Sequence, residues 1–206
     1  MQRSTLCKTL GGIDCEVLTI TEYQPKLAAN ANDPTARPDR FKSQTIGVQS
    51  KPEKPGVVIS ARVHPGETVG SWMMRGILYF LTDPDNKEAK ILRKSFIFKI
   101  VPMLNPDGVI NGNYRCSLAG CDLNRRWKFP SKQLQPTIYH TKRLIKKVHT
   151  ERTCVMYCDL HGHSRKPNVF MYGCDIKGSP ADTRIFPLII SKISPLFEFA
   201  SSRFGV

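Results

Sequence analysis

GVVISARV (residues 56–63) runs into HPGE (64–67) and then into a helical pattern, and that succession decides the fold. The first eight residues form a short apolar run rich in β-branched side chains, the composition of a buried strand. From Thr68 to Leu81, the residues Val69, Trp72, Met73, Gly76, Ile77 and Phe80 fall at helical spacing, and Asp83-Pro84 stops the run. Downstream the succession recurs. Ser95 to Met103 (SFIFKIVPM) reads as a second strand, and residues 136–149 as a basic amphipathic helix carrying Ile138, Leu144, Ile145 and Val148. Thr153 to Leu160 (TCVMYCDL) reads as another central strand, Asn168 to Tyr172 as a further short one, and Pro187 to Ile193 as the start of a last helix. Strands separated by helices predict an α/β domain whose mixed, largely parallel sheet is flanked by helices. Such sheets place ligands in the crevice outside the carboxyl ends of their strands.

Upstream, residues 1–24 alternate around Val17, Leu18 and Ile20 and read as one early strand. Residues 25–55 contain Pro25, Pro34, Pro38, Pro52 and Pro55 with few large apolar residues, so they read as loops and edges. A length of 206 residues suits one domain, and contents of 40% hydrophobic and 23% charged residues are ordinary for a globular protein. No stretch approaches the roughly 20 apolar residues that span a bilayer, and Met1 to Leu10 holds no apolar signal core. The 7 cysteines are odd in number and irregularly spaced, which reads as free thiols in a reducing, cytoplasmic compartment. The net charge of +14 suits a nucleic acid or an acidic protein as partner. Its basic residues lie on separate segments (Arg125-Arg126, Arg143–Lys147, Arg165-Lys166) without an aromatic single-strand platform, which disfavours nucleic acid.

The chemistry gathers where the crevice rule puts it. His64 and Glu67 follow the Gly56–Val63 strand directly, and His161 follows the Thr153–Leu160 strand. Two histidines and one glutamate, with a fourth position open to water, make the ligand set of a hydrolytic zinc site. By itself His-x-x-Glu is a weak signal. A rival is a closed site of Cys154, Cys158, His161 and His163, although the even spacing of the two cysteines in an apolar strand suits core packing better. Between the clusters, Leu104 to Trp127 is a polar excursion crowded with turn formers, of the kind that is functional or disordered. It brings Arg115, Asn124 and Arg125 toward the same strand ends. Guanidinium forks clamp carboxylates; the plain alternative is that Arg125 and Arg126 are solvated.

Taken together, HPGET (64–68), NPDGV (105–109), GNYRCSL (112–118), DLNR (122–125) and DLHGHSRKPNVFMYG (159–173) resemble the cytosolic carboxypeptidases, the tubulin-deglutamylating branch of the zinc carboxypeptidase family. TLCKTLGG (5–12) resembles the opening of that branch's catalytic domain. The resemblance implies one Zn²⁺ per chain on His64, Glu67 and His161, with Arg115 polarising the scissile carbonyl and Asn124 and Arg125 anchoring the substrate's C-terminal carboxylate. It implies acidic protein C-termini or polyglutamate side chains as partners, tubulin among them, and a cytoplasmic, microtubule-associated location. The family's general-base glutamate has no match here, and Glu198 does not fit its motif. Residues 1–206 are therefore expected to be an incomplete catalytic domain, without the C-terminal part that carries the base and without the β-rich domain that precedes it in the branch. The alternative is a catalytically dead fragment that binds zinc and acidic tails.

Overall fold

A computed structural model describes residues 1–22 and 54–205, so the loops expected over 25–55 fall, but for their last two residues, outside the described part. The chain packs as two compact units, Met1–Gly162 and His163–Val206.

In the first unit β1 (Gln2–Lys8) and β2 (Asp14–Ile20) form an antiparallel hairpin, and β2 pairs antiparallel with β4 (Ile97–Val101). β4 and β5 (Cys154–Leu160) flank β3 (Gly56–Ala61), both parallel to it, giving the order β1-β2-β4-β3-β5 among the described residues. Every residue of β3 is buried, as its β-branched run demands. From β3 the chain crosses through α1 (Thr68–Thr82) and α2 (Lys87–Ser95) to β4 on one side. It then passes α3 (Pro106–Ile110) and α4 (Pro136–Glu151) and returns to β5 on the other side. The carboxyl end of β3 is thus the switch point of the sheet, where a crevice must open.

Two apolar layers hold the helices to the sheet. Val57, Ile59, Ala61, Phe98 and Ile100 pack with Met74 and Leu81 of α1, while Val17, Val63, Val101 and Leu104 pack with Leu123 and with Ile138 of α4. α1 comes very close to the sheet end at Gly70, where a Cβ would lie 2.8 Å from the Leu160 carbonyl oxygen.

Four features of the first unit differ from the sequence reading. The stretch read as one strand holds two within its described residues 1–22, because Gly11 and Gly12 turn the chain, with Gly12 at φ +78°. α2 is a short helix whose signals are a narrow apolar face of Ala89 and Leu92 and the Asn86 cap, whose Oδ1 accepts from the Ala89 amide at 2.8 Å. The Leu104–Trp127 excursion contains α3, capped by Asn105, and a 3-10 turn over Leu123–Arg125. β5, expected in the centre, lies at the sheet edge among the described residues, with Val155 and Tyr157 exposed.

The second unit contains a short parallel pair, β6 (Tyr172–Gly173) with β7 (Arg203–Phe204), and α5 (Asp182–Ile193) with Pro187 inside it. The strand expected over 168–172 is reduced to an isolated Val169–Phe197 bridge and the start of β6. Among the described residues no helix is long and apolar enough to cross a membrane.

The contact at Gly70 gives a prediction. Gly70→Ala forces the start of α1 away from backbone that cannot yield, so urea unfolding should show a loss of about 1–3 kcal/mol. An unchanged midpoint would mean the helix start is free to shift.

Candidate metal centre

At the carboxyl end of β3 the backbone turns sharply. Arg62 takes a left-handed φ of 59°, rare for a side chain of its size. Its guanidinium holds the bend by donating to the Pro65 carbonyl at 2.8 Å and to Ser71 Oγ at 2.7 Å. The bend points His64 inward, where it is 3% exposed. Glu67 follows as the N-cap residue of α1, and its carboxylate accepts the Gly162 amide at 2.8 Å. His161 comes from the adjacent strand end, since Ala61 and Leu160 are register partners of β3 and β5. Neighbouring strand ends therefore bring together residues almost a hundred positions apart.

The side chains form a chain of alternating carboxylates and imidazoles. His64 Nδ1 lies 2.7 Å from Glu67 Oε1 and its Nε2 2.9 Å from Asp122 Oδ1. His161 Nδ1 lies 3.0 Å from Glu67 Oε2 and its Nε2 2.9 Å from Asp159 Oδ2. An ionised carboxylate can only accept, so Asp122 and Asp159 each fix an Nε2–H and turn the Nδ1 atoms toward Glu67. A neutral imidazole has one N–H, already used. Each Nδ1 facing Glu67 thus needs a proton or a cation between, and one divalent ion supplies the charge of two protons. One donor atom each from His64, Glu67 and His161 lies within 4.8 Å of the other two, so this group could hold a metal. Two imidazole nitrogens and one carboxylate suit zinc.

Electrostatics follow the geometry. Burial opposes the ionised form of Glu67, but hydrogen bonds from His161, His64 and the Gly162 amide prevail and hold it well below the usual carboxylate range. Asp122 is likewise lowered, with burial overcome by His64, the Asn124 amide and Arg115. Burial would lower His161, yet Asp159 and Glu67 raise it to about 9. Behind Asp159, Ser60 Oγ donates to Oδ1 at 2.6 Å and itself lies 2.9 Å from the Tyr157 hydroxyl. Although the Tyr157 ring is partly exposed, its hydroxyl end is desolvated and lies near the Asp159 charge, which together push it up, so it stays a neutral donor.

The remaining expected residues fall around Asp122. Arg115 grips Asp122 Oδ2 through Nε at 2.9 Å and a terminal nitrogen at 2.7 Å. The Asn124 amide donates to Asp122 Oδ1 at 2.8 Å, and Asn124 Oδ1 accepts from Trp127 Nε1 at 3.0 Å. Arg125 ends the 3-10 turn, its amide donating to the Asp122 carbonyl at 3.1 Å and its exposed side chain without a hydrogen bond or ion pair among the described residues. The donor group found among the described residues is His64, Glu67 and His161, without either cysteine of the rival set. Cys154 and Cys158 stay in β5, and burial raises both thiols, Cys158 to about 11. Glu198, in the second unit, is taken up by Asn168 and Ser201. Asp122 and Asp159 open the motifs DLNR and DLHGHS, but nothing in the sequence marks them as partners of the two histidines.

Metal uptake must displace the His161 proton. Between pH 6.5 and about 9 the metal-free fold keeps His161 charged, so zinc binding at pH 7 should release at least one proton and tighten as pH rises toward 9. Calorimetry in buffers of different ionisation enthalpy reads this directly; no proton release would contradict the arrangement. Without metal the sign reverses. The raised His161 value adds stability fully present below pH 6.5 and lost as pH rises through about 9. The lowered Glu67 value adds stability present above its usual 4.5 and lost as pH falls below it. Asp122→Asn or Asp159→Asn should weaken zinc roughly 10–100-fold in a chelator competition.

Comparison with known proteins agrees with this geometry. A family profile described as zinc carboxypeptidase matches residues 1–194. The chain is 48% identical over 206 residues to cytosolic carboxypeptidase 2 of Xenopus tropicalis, covering 98% of this chain and 19% of that one. To cytosolic carboxypeptidase 4 of Homo sapiens it is 44% identical over 221 residues, covering 100% and 18%. The chain thus spans about a fifth of the length of these relatives. Among solved structures, a metallo-carboxypeptidase from Burkholderia cenocepacia superposes with TM-score 0.77 at 25% identity, covering 98% of this chain and 48% of that one. A putative carboxypeptidase A from Shewanella denitrificans gives 0.75 at 28% identity, covering 96% and 46%. With the profile spanning nearly its whole length and the donor set lying at the ends of β3 and β5, the chain belongs to the zinc carboxypeptidase family.

Proposed function

We propose that the protein is a zinc-dependent carboxypeptidase that removes C-terminal residues, chiefly glutamates, from acidic protein tails such as those of tubulin. The observation that carries this reading is the pair of inward Nδ1 atoms on either side of Glu67, each imidazole fixed from behind by an aspartate. In this reading His64, Glu67 and His161 hold one zinc ion per chain. Bound there, zinc supplies Lewis acidity toward a water molecule and a scissile carbonyl.

The chain's own residues do the rest. Arg115 spends two donors on Asp122 and keeps others for a carbonyl oxygen that gains charge. Asn124 has its carbonyl oxygen committed to Trp127, which leaves its amide nitrogen as a donor to a carboxylate. Arg125 offers an unengaged fork for the same carboxylate. Cationic and donor groups of this kind suit a substrate ending in carboxylates, and the charge of +14 favours approach of an acidic tail. Relatives named cytosolic carboxypeptidases support a cytoplasmic location, and tubulin as substrate would place the protein at microtubules.

One observation favours a second reading. Glu67, Asp122 and Asp159 are each committed to an imidazole, so none of them is free to take the proton of an attacking water. If no other group takes it, the chain binds zinc and acidic tails without turnover. The test is zinc content together with glutamate release from a polyglutamate-tailed peptide. Stoichiometric zinc with release supports the enzyme, zinc and peptide binding without release supports the binding module, and absence of zinc contradicts both. In an active protein, Arg115→Ala should lower kcat about 10²–10³-fold. Arg125→Ala should instead raise KM by roughly tenfold or more, the loss of a charge-assisted hydrogen bond.

A further inference from the structure

The β1–β2 hairpin holds two thiols directly opposite each other. Thr5 pairs with Glu16, but the next partners are Cys7 and Cys15, so Leu6 is the extra residue of a β-bulge. Strict alternation would send Leu6 and Cys7 to opposite faces. Here both pack against the cluster that contains Cys15, Val17 and Leu123. The bulge thus lays Cys7 over Cys15, close enough for each thiol to shift the other. Residues opposed in an antiparallel pair have Cα atoms about 4.5–5.5 Å apart, inside the roughly 4.4–6.8 Å that a disulfide requires. Cys154 and Cys158, four residues apart along β5, are about 13 Å distant and cannot bridge.

We propose that Cys7 and Cys15 are a redox-active pair that closes to a cross-strand disulfide by exchange with a small-molecule disulfide such as oxidised glutathione. Cys7 is the attacking thiol, being partly exposed where Cys15 is 1% exposed. Contact with Cys15 lowers Cys7 against the effect of burial, while the same contact and burial raise Cys15. The Cys7 thiolate attacks one glutathione sulfur, breaking its S–S bond and releasing one glutathione thiolate. Cys15 then gives up its proton and attacks the Cys7 sulfur, releasing the second glutathione. Two protein thiols are oxidised and one glutathione disulfide is reduced to two thiols. Cys15 Sγ also lies 3.6 Å from the Met103 carbonyl, a weak contact that the disulfide replaces.

The consequence reaches toward the metal centre. The turn between the two strands grips Asp107, with Thr9 Oγ1 donating at 2.5 Å and the Gly11 amide at 3.0 Å. Asp107 lies in α3, whose Gly108 is so close to Pro65 that a Cβ there would lie 2.5 Å from its ring. A disulfide across residues 7 and 15 closes a small ring around that turn.

The test uses the full chain, reduced and then exposed under native conditions to oxidised glutathione, acid-quenched, alkylated and digested with trypsin without reduction. Cleavage after Lys8 separates the two cysteines, so the disulfide appears as residues 4–8 joined to residues 9–26, lighter by two hydrogens than the free peptides. This link should exceed any other cysteine pairing at least tenfold and vanish in denaturant, and amide exchange at Gly11 should slow several-fold. Cys15→Ser should stop the reaction at a stable glutathione adduct on Cys7. Full alkylation of both thiols in the folded chain, or a glutathione adduct on Cys7 that persists with Cys15 present, overturns the proposal.

Discussion

Two imidazoles, each held between two carboxylates, are the constraint on which the rest of this structure depends. The order Asp122, His64, Glu67, His161, Asp159 puts three acceptor-only groups around two rings that together own two N–H bonds when neutral. Such a cluster is stable only with added positive charge in its middle. Without metal, Asp159 and Glu67 raise His161 to about 9 against burial, so that ring carries added charge. A divalent cation supplies it with the geometry of a hydrolytic site. Because the outer aspartates claim the Nε2 atoms, it is the Nδ1 atoms that remain for the metal.

Much of the surrounding fold serves this cluster. Parallel pairing of β3 with β5 brings the two histidines to neighbouring strand ends, and the chain leaves β3 toward β4 on one side and returns to β5 on the other, the arrangement that opens a crevice above strand ends. Arg62 accepts a left-handed backbone to aim His64, a local cost of the sort found at functional sites. Gly162 leaves its amide free for Glu67, and a side chain there would press on Val69 at 2.9 Å. Gly66 lies against Tyr114, to whose carbonyl its amide donates at 2.7 Å, tying the ligand loop to the segment that carries Arg115. Arg115 in turn secures Asp122, so the residue that would face substrate also steadies the support of a metal ligand.

The sequence made the central part legible because its signals are local. A fully buried β-branched strand, an amphipathic helix and polar residues directly after strand ends can be read from period and position; β3, α1, β4 and α4 lie where those signals put them, and the donor atoms of His64, Glu67 and His161 come together. What escaped depends on pairing across the chain. The β1–β2 hairpin needed recognition of Gly11-Gly12 as a turn within a stretch that looked continuous. The edge position of β5 cannot be read from TCVMYCDL, whose apolar content suits a centre as well as an edge. Asp122 and Asp159 lie inside motifs already quoted, yet their role appears only once the fold turns each toward an imidazole. Asn124 was expected to bind a carboxylate; the structure adds that Trp127 fixes which of its amide atoms is free to do so.

The most direct test is crystallography of the zinc-loaded protein with anomalous data collected at the zinc edge. The account predicts a single strong peak bonded to Nδ1 of both His64 and His161 and to the Glu67 carboxylate, with Asp122 and Asp159 still on the two Nε2 atoms. A peak bonded through Nε2, or one seated at Cys154 and Cys158, would contradict it.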